Sequence, residues 1–210
     1  GAYVREGYSM SDIFVTGILQ RGRDGKLIEE GNSYKVDFSQ RVRLGSADPD
    51  FTMGWRHDFN YKNVSFGMMF TGRFGGIVTS QTQAFMDAFG VSKVSADARE
   101  AGGVWVDGYQ YDAERYYNTV GGQGLMAYYA YDATNVRLSE LSLTYSLPKK
   151  WLGGIFDYAN VSFIGRNLLM IYRAAPFDSD MTSSTGTYSR SDFFMSPSLR
   201  NLGFSIKFGL

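Results

Sequence analysis

The stretch Phe51-Thr-Met-Gly-Trp-Arg-His-Asp-Phe-Asn-Tyr61, then Lys62-Asn63, then Val64-Ser-Phe-Gly-Met-Met-Phe-Thr-Gly-Arg-Phe74, decides how this chain is read. Side chains on a strand alternate between two faces, so the informative operation is to write out alternate residues. In the first half one face carries Phe51, Met53, Trp55, His57, Phe59 and Tyr61, and the other Thr52, Gly54, Arg56, Asp58 and Asn60. In the second half Val64, Phe66, Met68, Phe70 and Phe74 oppose Ser65, Gly67, Met69, Thr71 and Arg73. Two alternating runs around two turn residues predict a β-hairpin with one apolar and one polar face.

The same pattern recurs outward from the hairpin. Leu202, Phe204, Ile206, Phe208 and Leu210 alternate with Gly203, Ser205, Lys207 and Gly209, and further strands are predicted at 13–21, 136–147 and 158–172. The connections between these six run roughly 29, 2, 61, 10 and 26 residues, long and short in strict alternation. A soluble β-sandwich has no reason to gather its long loops at one end, whereas an outer-membrane barrel has short periplasmic turns and long outer loops. The expected fold is therefore all-β: an antiparallel transmembrane β-barrel wall segment. In such a wall the apolar face meets lipid and the polar face lines the lumen, which points Arg56, Asp58, Arg73 and Lys207 inward.

Composition agrees. The 210 residues carry 21 Lys plus Arg against 21 Asp plus Glu, no cysteine, one histidine, 25 Gly, 16 Phe, 15 Tyr and 3 Trp. Without cysteine there is no disulfide or thiolate site, and one histidine leaves no His-rich metal pattern, so no cofactor is expected. Balanced charge gives no electrostatic support to a nucleic-acid partner. The longest mostly apolar run, Leu168 to Tyr172, falls far below the ~20 residues of a membrane helix.

The longest connection, Gly75 to Tyr131, has features of its own. Ile77, Val78, Gln81, Phe85, Ala88 and Phe89 lie near helical spacing, and Ser95 is placed to cap a turn running to Glu100, so one or two short helices are expected. Its second half concentrates Trp105, Tyr109, Tyr111, Tyr116, Tyr117, Tyr128, Tyr129 and Tyr131. Rigid amphipathic rings on a loop suit stacking on sugar faces or peptide groups. They suit equally contacts to a partner protein, or an interfacial girdle and loop packing. Trp105, Tyr109, Tyr111, Tyr116, Tyr117, Tyr128 and Tyr129 are the candidate ligand or lid contacts, and Trp151 reads as a periplasmic-side girdle residue.

Several motifs read together resemble one family. Leu44-Gly-Ser-Ala-Asp-Pro-Asp-Phe-Thr-Met-Gly54 is similar to the loop-to-strand junction of SusC/RagA family TonB-dependent outer-membrane transporters. Val136-Arg-Leu-Ser-Glu-Leu-Ser-Leu-Thr-Tyr-Ser-Leu-Pro-Lys149 resembles that family's strand and Leu-Pro turn. Val161-Ser-Phe-Ile-Gly-Arg-Asn-Leu168 resembles its following strand, and Thr82 to Gly103 its helical outer loop. The resemblance implies about six strands of a plugged 22-stranded barrel. Residues 1–210 would then be the C-terminal part, without the plug domain, with Gly1 an internal point of a longer protein and Leu210 closing the last strand. It also implies import of oligosaccharide or peptide fragments across the outer membrane of a Gram-negative bacterium. A SusD-like surface lipoprotein would serve as the lid, outer-membrane lipid would surround the wall, and TonB would be reached through an N-terminal part of the protein.

Other chemistry finds little support. Gly22-Arg-Asp-Gly-Lys26 lacks the spacing and the Ser or Thr of a phosphate loop and reads as a turn. His57 and Asp58 are strand neighbours on opposite faces, which breaks a triad, and no enzymatic activity is expected. The acidic pairs Asp48/Asp50 and Asp178/Asp180 offer oxygen ligands without a full calcium-loop pattern and read as solvated turns. The alternative to a barrel wall is a soluble β-rich ligand-binding or structural module whose apolar faces form a core.

Overall fold

A computed structural model describes residues 5–181 and 191–209, so Gly1 and Leu210 lie outside the described residues. The strands are β1 (Asp12–Leu19), β2 (Glu29–Glu30), β3 (Ser33–Tyr34), β4 (Val36–Ser46), β5 (Phe51–Tyr61), β6 (Val64–Phe74), β7 (Ile77–Ser80), β8 (Val104–Val106), β9 (Tyr109–Tyr111), β10 (Ala130–Asp132), β11 (Asn135–Ser146), β12 (Tyr158–Arg173), β13 (Ser191–Asp192) and β14 (Asn201–Gly209). The helices are α1 (Gln81–Ala88), α2 (Lys93–Glu100) and α3 (Ala113–Val120). The chain forms two compact units.

One unit is a five-stranded sheet in the order β14-β12-β11-β6-β5. All four ladders are antiparallel. The predicted hairpin is β5–β6, paired from Phe51↔Phe74 to Tyr61↔Val64. Its turn closes at Lys62, whose φ of 53° is the positive value that two-residue hairpin turns favour. A register shift between Leu138 and Glu140 leaves Ser139 as an extra residue, and its hydroxyl hydrogen-bonds that of Thr71. Asn167, at φ 53°, marks a second irregularity, in β12.

The other unit gathers the long connections. Here two expectations are corrected. The strand predicted at 13–21 does not join the five-stranded sheet: it is β1, paired antiparallel with β4, which lies within the predicted 29-residue connection. Strand β4 escapes a period-two reading because its apolar series Val36, Phe38, Val42 and Leu44 is broken by Gln40. The ladder itself slips twice, beside Ile13 and at Gly17, which sits at φ 92°. The second correction is that three helices, not one or two, lie between Gly75 and Tyr131. Ile77 and Val78, expected near helical spacing, belong instead to β7, which pairs with β10 and β13.

Each helix begins at a side-chain cap. Ser80, Ser92 and Asp112 accept from the backbone N–H groups of Gln83, Ser95 and Arg115, satisfying donors the first turn leaves open. Ser92 thus takes the capping role expected of Ser95. Helix α3 presents Ala113, Tyr116, Tyr117 and Val120 as one buried stripe at i, i+3, i+4 and i+7. Gly121 lets α3 approach α1, since a Cβ there would meet the Ala84 carbonyl. No helix among the described residues is long and apolar enough to cross a membrane, which says nothing about strands.

Candidate functional site

The sheet carries the first candidate surface. Cross-strand partners share a face, so the ladders extend the hairpin's two-sidedness over all five strands. On one face Trp55, Phe70 and Leu138 form a row, as do Phe59, Phe66, Leu143, Phe163 and Phe204. These side chains stay exposed: Trp55 by 56%, Phe59 by 54% and Phe204 by 68%. A sheet face of this width with its large apolar residues uncovered is not a soluble core, and its contiguity marks an interaction surface. His57 lies on it between Trp55 and Phe59, with ring centroids at 4.3 and 5.7 Å.

The opposite face is polar and internally paired. Arg56, Met69, Glu140, Arg166 and Asn201 form one cross-strand row. Arg56 Nε donates to Asp58 Oδ2 at 2.8 Å and Nη2 to Oδ1 at 3.1 Å. Glu140 lies 3.6 Å from Arg56 and 3.4 Å from Arg166, so charges of alternating sign cross four strands. Thr144 and Ser162 share a hydroxyl hydrogen bond of 2.8 Å two rows further along. Register puts Arg73 (opposite Thr52 and Asn135) and Lys207 (opposite Asn160) on this same face.

At one end of this sheet stands a feature the sequence did not reveal. Arg137, buried, lies 2.8 Å from Asp178 and 2.6 Å from Asp180, and it donates to Asn167 Oδ1 at 3.2 Å. Ser198 closes the group with a short hydrogen bond to Asp178. Asn135, also buried, donates to Ser179 and Asp180. The acidic pair Asp178/Asp180 is therefore taken up by a guanidinium rather than standing as a solvated turn. Burial pushes the Asp178 carboxyl up, but the Ser198 hydroxyl and Arg137 outweigh it and hold it below its ordinary value.

The loop-built unit sorts the candidate aromatic residues. Tyr111, Tyr116, Tyr117 and Tyr129 are buried in a core with Leu19, Leu27, Tyr34, Val120 and Leu125. Hydroxyls stitch its segments together: Tyr111 accepts from Leu27 N at 3.1 Å, Tyr128 from Leu19 N at 3.0 Å, and Thr119 from Tyr34 N at 3.0 Å. Burial raises the Tyr116 and Tyr131 hydroxyls to about 12 and lifts Tyr129 further, the Asp87 charge adding at Tyr129 and Tyr131. The surface is left to Trp105, 65% exposed, to the half-buried Tyr109 and to Tyr128. Tyr109 donates to Asp24 O at 2.9 Å and lies under the Lys26 ammonium at 5.4 Å. Gly22–Lys26 is a hydrogen-bonded turn, as expected. Trp151 is exposed on a one-turn 3-10 helix after β11. Reading the loops for tyrosine alone missed an exposed phenylalanine group, in which Phe85 packs at 6.3 and 5.9 Å from Phe193 and Phe194.

No family model matches the sequence. The chain is 28% identical over 189 residues to TonB-dependent receptor P3 of Formosa agariphila, covering 85% of this chain and 18% of that protein. Among solved structures it is similar to the RagAB peptide importer in its open-open state (TM-score 0.57, 16% identity, 95% of this chain and 22% of that one). It is likewise similar to the closed-closed state (TM-score 0.51, 16% identity, 90% and 20%). The chain thus spans about a fifth of the length of the proteins it matches.

The two-faced antiparallel sheet, in a chain similar in fold to these solved structures, gives the class as a portion of an antiparallel β-barrel wall. In sequence the chain is similar to part of a TonB-dependent receptor, the kind of protein its motifs resemble, and in fold to part of the RagAB importer.

Proposed function

We propose that this chain is the C-terminal part of the barrel of an outer-membrane, TonB-dependent importer of glycan or peptide fragments in a Gram-negative bacterium. The observation that carries the reading is the sheet's division into an exposed apolar face and an ion-paired polar face across five strands. Lipid covers the first face, and Arg56, Asp58, Arg73 and Lys207 on the second line the lumen around a plug held elsewhere in the protein. The activity is gated binding and translocation, without a bond-making step, and energy comes from TonB through that other part.

The loop unit meets ligand or a SusD-like lipoprotein lid through Trp105, Tyr109 and Tyr128, the candidate rings left at its surface. Support for an importer comes from the likeness in fold to the RagAB peptide importer. The full-length protein tests the reading in its host. Fractionation should place it in the outer membrane, a lipoprotein should co-purify with it, and loss of TonB should abolish uptake of its oligomeric substrate. Recovery of the folded protein from the soluble fraction without detergent overturns the proposal and favours the soluble binding module.

A further inference from the structure

Helices α1, α2 and α3 enclose a recess of about 210 Å³ lined by Asp87, Phe89, Ser95, Arg99, Glu114 and Tyr117. That volume is below the ~300 to 1,000 Å³ of pockets for drug-sized ligands, so the recess suits a single side-chain-sized group. Asp87 is only 4% exposed; its carboxylate accepts from Gln83 Nε2 at 2.7 Å and interacts with the Tyr129 hydroxyl, both neutral donors. No ion pair to it is found among the described residues. A buried carboxylate without a counter-charge is costly, and neutral donors offset only part of that cost.

The rest of the lining has the same bias. Glu114 adds a second carboxylate, and the one guanidinium, Arg99, is engaged with the Gly90 carbonyl at 2.8 Å. Phe89 and Tyr117 supply aromatic surface, which attracts cations. The recess therefore holds one more negative charge than positive, an aromatic wall, and room for a small group.

We propose that this recess binds a primary ammonium group, with Asp87 as its counter-charge. A free peptide N-terminus and a lysine side chain both present that group. The site stands apart from the import reading, because its test reads binding to purified protein and not uptake.

The probes are trialanine, its N-acetylated amide, and N-acetyl-Ala-Lys-Ala amide, titrated calorimetrically into the full-length protein in detergent. Saturable binding of trialanine assigns the N-terminus, and binding of the lysine peptide assigns the side chain. The blocked trialanine should not bind. Asp87→Asn should weaken binding about ten- to a hundredfold, the range for losing a charge-assisted hydrogen bond. Phe89 is 77% exposed, so Phe89→Ala leaves the core intact and should weaken binding several-fold even if Asp87→Asn fails to fold. Absence of saturable binding by both ammonium probes overturns the proposal. So does equal binding of the blocked probe, or binding unchanged in a folded Asp87→Asn or in Phe89→Ala.

Discussion

Arg137 Nη2 lies 2.8 Å from Asp178 Oδ1, and both side chains are about nine-tenths buried. The pair joins strand β11 to a segment 41 residues further along the chain. Removing one member leaves the other charged, buried and uncompensated, which costs roughly 3 to 5 kcal/mol. Arg137→Ala should therefore release the residues around Asp178 and Ser198 to limited proteolysis, while Arg137→Ala with Asp178→Ala should recover part of the loss.

The same pair has a pH signature. The Asp178 carboxyl sits below its ordinary value of 3.8 in the folded protein, so its contribution is complete above that value and is lost as pH falls through the lowered one. Protease resistance of this segment should be unchanged between neutral pH and pH 5, and should fall only on the acid side of the ordinary carboxylate range. Asp178→Asn should abolish that acid transition.

Phe66 and Ser65 are adjacent residues on opposite faces of β6, aligned with Phe59 and Leu143 on one side and with Asn60 and Thr144 on the other. A charge on the lipid face near mid-bilayer costs about 2 to 4 kcal/mol, and a charge in the lumen costs little. Phe66→Arg should lower the outer-membrane yield of the full-length protein, and Ser65→Arg should leave it near the parent level. Equal yields would reverse the assignment of faces.

The contrast between these faces explains what a single sequence reveals. Strands β5, β6, β11, β12 and β14 were legible because their period of two runs nearly unbroken for nine residues or more. Strand β4 was hidden by one polar residue, Gln40, in its apolar series. Helix α3 left a full signal, Ala113, Tyr116, Tyr117 and Val120 at helical spacing, but tyrosines suit a binding surface and a core alike. Only packing decides between them. The Arg137 group was not legible at all, since its members are charged residues far apart in sequence with no periodic pattern to connect them.

Tyrosine titration reports on the buried rings of the loop core. Burial raises Tyr116 and Tyr131 to about 12, with Tyr129 higher still. A raised phenol keeps its proton in the folded protein where the unfolded chain has lost it, so stability is complete below pH 10 and declines as pH rises toward 12. Ultraviolet difference spectra should show a tyrosine ionisation step that appears only with alkaline unfolding. Tyr116→Phe should reduce the amplitude of that step.

Trp105 and Tyr116 make opposite predictions although both belong to the aromatic group of the longest connection. Tyr116 is 9% exposed and stands edge-on to Tyr117 at 5.4 Å within the loop core, whereas Trp105 is 65% exposed on β8. Truncating a buried aromatic ring costs roughly 3 to 5 kcal/mol, because transfer energy and a residual cavity add. Tyr116→Ala should therefore loosen the loop unit, detectable as faster proteolysis between α1 and β10, and any loss of uptake in that variant would report folding. Trp105→Ala removes no core contact and should leave the proteolytic pattern unchanged. If the exposed rings meet ligand or lid, that variant should still weaken uptake or lipoprotein co-purification, since function concentrates on such loops. Parent-level uptake and co-purification in a folded variant lacking the Trp105, Tyr109 and Tyr128 side chains would assign the whole aromatic group to packing.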